Sequence, residues 1–475
     1  MSEPEIGKAG QGGKPPDDSG ELERSMGPAM AISVVVGCVV GVGIFFIPGR
    51  IAATGASFPL IISTWVVVGI ACFLAALCFA EMALMYPRSG GQYVYLGEAY
   101  GRPVAFMLGW AAVLIIAPSA AASLSVAFVE TFAGLFKVDL SIVGKTAAAA
   151  VVLVVVVGIN LRGARWGGGF QTATTLVKVV SLCGLAILPF LMGFFSDKGI
   201  DSTNYSSSVD AGDKSPFALF ALVMVSVMFA YEGWQNVTTV AGEIRQPQRN
   251  IPWALFAGLA LVTLLYAAAN FAFHGVLSVE EVAASKGGVA QDMAKRLLGP
   301  AAGGAIVLVI LFSTIGSLNG VVLANPRVLF AMGKDYPLIG RMARIHPLYG
   351  TPATALLTLF VVSGLYLVAA GMFVVFNPGK DLFGILSKYM VFATSIFYFL
   401  SVLASIVLRF RRPDAERPFR MPLFPLAPVL FLALYGWFLF GESSDALTWI
   451  GAAIIVVGTT YTTRHEVRAA SEHSP

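Results

Sequence analysis

Apolar runs long enough to cross a bilayer recur along almost the whole chain, separated by short polar, Gly-rich or Pro-rich stretches. About 20 apolar residues in a helix span the hydrocarbon core, and a backbone at that depth must satisfy its own hydrogen bonds. Of the 475 residues, 57% are hydrophobic and 12% charged; soluble domains carry about 25% charged residues. The fold class that follows is an all-α polytopic membrane protein. Strands of alternating polarity are absent, which excludes a membrane barrel.

Apolar length and punctuation predict twelve spans, at roughly 28–55, 58–86, 94–134, 140–160, 166–195, 216–242, 249–275, 298–332, 352–376, 382–410, 420–440 and 445–463. The third and eighth are long enough to tilt or to extend beyond the bilayer. Residues 1–25 are polar and rich in Gly, Pro and charge, so they read as a disordered tail, without the apolar core of a signal peptide. Residues 464–475 form a second tail. The side holding both tails and loop residues such as Arg88, Arg162, Arg245, Lys334 and Arg409 carries about 19 Lys and Arg, against 8 such as Lys137, Lys214 and Lys295 on the other. Positive charge marks the cytoplasmic side, so both termini are expected inside a plasma (inner) membrane.

Within the first run, Gly41-Val42-Gly43 sits between Ile32 and Ile47. Glycine is a poor helix former, and a spanning helix that opens frees N–H groups that need a polar occupant. Packing glycines are the competing explanation. A second candidate break lies in Phe229-Ala-Tyr-Glu-Gly-Trp234, in the sixth span. Five spans separate the two, so spans 1–5 (26–195) and 6–10 (216–410) would run in opposite senses. That is the arithmetic of a 5+5 inverted repeat, with spans 11 and 12 (411–463) appended.

Two broken helices near the midplane suit a zwitterion. The half-helix beginning at Gly43 offers free N–H groups and a positive dipole end to a carboxylate. The carbonyls ending the preceding half of the sixth span, near Phe229 and Ala230, suit an ammonium. The expected binding residues are Gly41, Val42, Gly43 and Ile44 with Phe229, Ala230, Tyr231 and Glu232. Two charges stand at membrane depth, Lys178 and Glu232, where an ionisable group is costly and functional by default. Glu232 is expected to contact an ammonium, carry a proton or pair with a basic residue. Snorkelling to the interface is the alternative for Lys178. Glu81 and Arg88 look like gate or structural ion-pair residues; Glu243, Arg245 and Arg249 follow the sixth span on the same side, where interfacial capping and positive-inside bias are an equal alternative; Arg50 and Arg327 lie near span ends.

No cofactor or metal is expected. Cys38, Cys72, Cys78 and Cys183 all lie in apolar segments, the four histidines are scattered, and no HExxH or GxSxG motif occurs. The chain does not read as an enzyme, and no nucleic-acid partner is expected.

Several motifs fall in one order: GVGIFFIPGR, LCFAEMALMYPRSGGQYVYLGEAYG, VAGEIRQPQRNIPWAL, NPRVLFAMGKDYPL with HPLYGTP, and RRPDAERPFRMPLFP. Together, over about residues 28–440, they resemble the amino acid–polyamine–cation transporter superfamily, and within it bacterial members of the L-type amino acid transporter family. The resemblance implies the inverted-repeat fold shared with sodium-coupled leucine transporters, and a Na⁺-independent amino acid transporter working by alternating access. Exchange of small neutral L-amino acids is the first expectation; proton-coupled uptake of cationic amino acids or polyamines is the alternative. It also implies that Phe229 acts as a lid, and that Lys178 replaces a sodium ion between spans 1 and 8, near hydroxyls such as Ser313, Thr314 and Ser317. Val42 departs from the family's Gly-Ser-Gly, leaving the carboxylate to backbone N–H groups. The partners expected are an amino acid and the bilayer, with no heavy-chain subunit, because the loop between spans 3 and 4 has no cysteine.

Overall fold

Proline in the first helical turn opens many of the helices: Pro28, Pro59, Pro103, Pro216, Pro247, Pro300 and Pro326. Its missing N–H is one of the first-turn donors that no helix satisfies, and its φ is already helical. The structure, a computed structural model, describes residues 21–196, 199–285, 288–377 and 382–440. The helices are α1 (Pro28–Val39), α2 (Gly43–Ala52), α3 (Phe58–Met85), α4 (Gln92–Tyr100), α5 (Arg102–Phe136), α6 (Ile142–Leu161), α7 (Ala164–Phe195), α8 (Pro216–Ala230) and α9 (Asn236–Thr239). They continue with α10 (Pro247–Val276), α11 (Val279–Ala284), α12 (Val289–Leu298), α13 (Pro300–Ala324), α14 (Pro326–Asp335), α15 (Ala353–Phe376), α16 (Leu382–Arg411) and α17 (Leu426–Phe440).

Among the described residues, nine helical stretches are long and apolar enough to cross a membrane, and Pro216–Ala230 and Leu426–Trp437 are shorter apolar helices. These overlap the first eleven expected spans. The twelfth, 445–463, and the tails 1–20 and 464–475 lie outside the described residues. The expected third span, 94–134, is not one helix: it is divided at Gly101, whose φ of +93° suits glycine and not a side-chain-bearing residue. α4 lies before that turn and α5 crosses. The stretch between α10 and α13, read as loop from the sequence, contains α11 and α12. A capping box of Ser278 and Glu281 starts α11, and α12 buries Val289, Met293 and Leu297 on one face.

Burial divides the helices by role. The window in Pro28–Ala52 is 83% buried, whereas those in Ile142–Leu161 and Ala164–Phe195 are 22% and 28% buried. The broken first span is thus interior, and α6 and α7 present apolar faces outward. The core falls into two clusters. One gathers residues of α1, α2, α3, α8 and α10; the other gathers Val126, Leu153, Val156, Leu318, Leu356 and Leu367 from α5, α6, α13 and α15. α5, α13 and α15 contribute to both, and a cavity lies where α5 and α13 meet α1, α2 and α8.

Candidate functional site

The first break begins where Val40, with ψ of 89°, leaves the helix; its N–H still bonds the Val36 carbonyl at 2.8 Å. Gly41 and Val42 form the gap, and the chain becomes helical again at Gly43. The opened carbonyls find side-chain donors. Ser313 and Ser317 of α13 donate to the Val40 carbonyl at 3.1 and 3.2 Å, and Ser313 lies 3.3 Å from that of Gly41. The N–H groups of Gly41, Val42, Gly43 and Ile44 have no acceptor among the described residues. Such N–H groups at a helix start favour an anion.

The second break follows Ala230. Gly233 has φ of +108°, and a Cβ on it would lie 2.9 Å from that of Cys38 in α1. The Tyr266 hydroxyl joins the two breaks, 2.9 Å from the Val39 carbonyl and 3.0 Å from that of Ala230. Of the carbonyls expected to be free, that of Phe229 accepts the Glu232 N–H at 3.2 Å, and that of Ala230 shares the single Tyr266 proton with Val39. What remains for a ligand there is the second lone pair of each.

Between the breaks lies a cavity of about 80 Å³. Gly41, Val42, Gly43, Phe229, Ala230 and Glu232 line it from the two breaks, with Ala120 of α5 and Ser317 and Val321 of α13. Ile44 and Tyr231 do not line it. Both are buried behind the breaks, and the Tyr231 hydroxyl donates to the Trp65 carbonyl at 3.1 Å. The Ile44 N–H nevertheless remains one of the free donors of the first break. A larger cavity, about 730 Å³, adjoins Val42, Gly43 and Phe229 and reaches Arg50, Lys137 and Lys295.

Lys178 is fully buried in α7, which removes the snorkelling alternative. Its Nζ donates to the Gly37 carbonyl at 2.6 Å and to Ser317 Oγ at 3.0 Å. One ammonium therefore ties α7, α1 and α13 together. The glycines make room: a Cβ on Gly316 would meet Lys178 Cε at 2.9 Å. Of the hydroxyls expected beside Lys178, Ser317 is in contact. Ser313 instead serves the first break, and Thr314 bonds its own helix at the Ile310 carbonyl, 2.7 Å away.

Glu232 is held from the cavity edge. Its Oε1 accepts from Gln235 Nε2 at 3.2 Å and lies 2.9 Å from the Tyr398 hydroxyl, which is 2.5 Å from Gln235 Oε1. Tyr398 has a single proton for two acceptors. A proton on Glu232 would complete this triangle. Tyr398 stacks on Trp234 with ring centroids 5.6 Å apart.

At the end opposite Lys137, Glu243 and Arg327 form a buried bidentate pair, with Nε to Oε1 at 2.7 Å and Nη2 to Oε2 at 3.0 Å. Arg327 Nη1 also donates to the Leu323 carbonyl. Met26 pairs with Ile244 beside it. Glu81 and Arg88 do not pair with each other: Arg409 holds Glu81 at 2.5 Å and Glu98 holds Arg88 at 2.6 Å.

Sequence reasoning missed Gln235, Tyr398 and the π-helical turn Ala112–Ile116 in α5, whose Ile116 reaches the cavity. Gln235 stands three residues from Glu232 and was legible as a neighbour. Tyr398 lies 166 residues away in sequence, and nothing local marks it.

Residues 27–460 match the family described as amino acid permease. The chain is 30% identical over 419 residues to the serine/threonine exchanger SteT of Bacillus subtilis, an alignment covering 88% of this chain and 90% of that protein. It is 30% identical over 418 residues to the b(0,+)-type amino acid transporter 1 of Mus musculus, covering 87% and 82%. To the large neutral amino acids transporter small subunit 2 of Oryctolagus cuniculus it is 30% identical over 449 residues, covering 92% and 79%.

Proposed function

Because the chain belongs to the amino acid permease family, and is thus a membrane transporter and not an enzyme, we propose that it exchanges small neutral L-amino acids without Na⁺. The observation carrying this reading is the row of unsatisfied N–H groups from Gly41 to Ile44 beside the cavity between the breaks. They would take the substrate carboxylate, and the carbonyl ends of α8 the ammonium. A cavity of about 80 Å³ favours a short side chain. Serine and threonine are the first substrates to try, since a relative is a serine/threonine exchanger.

Alternating access would proceed by movement of the broken helices α1, α2 and α8 against α5 and α13, with the Lys178 contacts between α1 and α13. On this reading, residues 26–195 and 216–410 are inverted repeats within a twelve-helix leucine-transporter-like fold, 411–463 is appended, and 1–25 and 464–475 are tails. The excess of Lys and Arg assigns the Glu243–Arg327 end to the cytoplasm of a plasma membrane, with both termini inside. The wide cavity at Lys137 then faces outward. No heavy chain is required.

A second reading, proton-coupled uptake of cationic amino acids or polyamines, is favoured by the Glu232–Tyr398–Gln235 triangle, which has room for a proton. Proteoliposomes decide between them. Exchange requires that internal unlabelled serine or threonine accelerate entry of labelled substrate, in choline as well as in Na⁺. Uptake into empty vesicles driven by an imposed pH gradient, with no acceleration by internal substrate, would replace the first reading by the second.

A further inference from the structure

A groove of about 790 Å³ opens between α6 and α7, beside the short turn that joins them. Gly158 and Gly169 leave its floor bare: a Cβ on either would meet nothing within 4 Å. Val155, Ile159 and Phe170 wall it. This apolar surface continues onto exposed Val151, Val154, Leu176 and Val180, on the two helices least buried by the protein. A soluble ligand would leave that surface unused.

The charged residues lining the groove are Arg162 and Arg165, and no carboxylate lines it. Arg162 has no ion-pair partner among the described residues. Arg165 pairs with Glu23 at 3.2 Å, with side chains 65% and 72% exposed, a geometry that holds weakly and yields to a better anion. Trp166, 62% exposed, stands beside both arginines. Tryptophan is enriched at the headgroup level, and guanidinium groups match phosphate oxygens in pairs.

We propose that this groove binds an anionic glycerophospholipid. Its phosphate sits between Arg162 and Arg165, and an acyl chain runs over the glycine floor. Because α7 also carries Lys178 and contacts α1 and α13, the lipid would be seated on the helix whose lysine links those two.

Native mass spectrometry of the full chain in mild detergent tests this with phosphatidylglycerol, phosphatidylcholine and inorganic phosphate as separate probes. The expected result is a retained phosphatidylglycerol adduct, weaker by about thirtyfold in Arg162→Gln/Arg165→Gln, following the worth of two basic residues near an anionic surface. Gly158→Leu fills the groove while keeping both arginines, and should lose the adduct too; it carries the test if the double variant fails to fold. Phosphatidylcholine held as tightly as phosphatidylglycerol would overturn the proposal. So would phosphate competing at equal concentration, or phosphatidylglycerol binding unchanged in the variant that folds.

Discussion

Gly43 and Ala230 face each other across the two helix breaks so closely that a Cβ on Gly43 would lie 3.0 Å from both Cα and Cβ of Ala230. The start of one half-helix thus rests directly on the end of another. A side chain at Gly43 must push backbone, which cannot rotate away. Overpacking of this kind costs about 1–3 kcal/mol. Gly43→Ala is expected to reduce exchange about tenfold or more while the protein still extracts as a monodisperse species; exchange at the wild-type rate would show that the breaks separate freely.

The unsatisfied N–H groups of Gly41 to Ile44 predict that recognition depends on a negative charge. An amino acid methyl ester should compete for uptake at least about tenfold less well than the free acid, since charge-assisted hydrogen bonds are roughly twice as strong as neutral ones. Equal inhibition constants for ester and acid would place the carboxylate elsewhere.

Lys178 predicts indifference to sodium. Its ammonium lies on the Gly37 carbonyl and Ser317 hydroxyl, at 2.6 and 3.0 Å. Replacing Na⁺ with choline should leave the initial rate unchanged. Lys178→Ala removes that ammonium and leaves Ser317 Oγ, 3.1 Å away, as the remaining donor to the Gly37 carbonyl; a buried group that loses its partner costs about 1–3 kcal/mol, so a folded, slow exchanger is expected. A rate that collapses in choline, or an alanine variant as fast as wild type, would contradict this.

The triangle at Glu232 predicts coupled behaviour. Tyr398→Phe removes the hydroxyl that lies 2.9 Å from Glu232 Oε1, and Glu232→Gln removes the proton site. Both should change the pH profile of uptake, and in the same direction. If the two variants keep the wild-type profile, Glu232 serves only to hold Gln235.

The buried pair of Glu243 and Arg327 predicts a strong non-additive effect on stability. Removing one partner leaves a buried charge, which costs about 3–5 kcal/mol, whereas replacing both by apolar groups is often nearly neutral. Glu243→Leu and Arg327→Met should each lower the melting temperature more than the double variant does. Additive losses would mean that the two residues act separately.

How much was legible in the sequence depended on whether the signal was local. Hydrophobic length announced the spans, because a backbone in hydrocarbon has few options. The close pair Gly41 and Gly43, and the stretch from Phe229 to Trp234, pointed to the breaks, because two glycines in close succession add nothing to a spanning helix unless it opens or packs tightly. Lys178 and Glu232 stood out as charges at depth, and the motif order pointed to the family. The tertiary structure decided what those residues touch. It brought Ser317 and not Thr314 to Lys178, since on one helix only some faces meet the partner. It turned Ile44 and Tyr231 away from the cavity, gave the Ala230 carbonyl to Tyr266, and placed Tyr398 beside Glu232. It also split the third span at Gly101. Apart from the turn at Gly101, those outcomes depend on helix rotation and on contacts between residues distant in sequence, 36 positions for Ala230 and Tyr266 and 166 for Glu232 and Tyr398, which local composition does not encode.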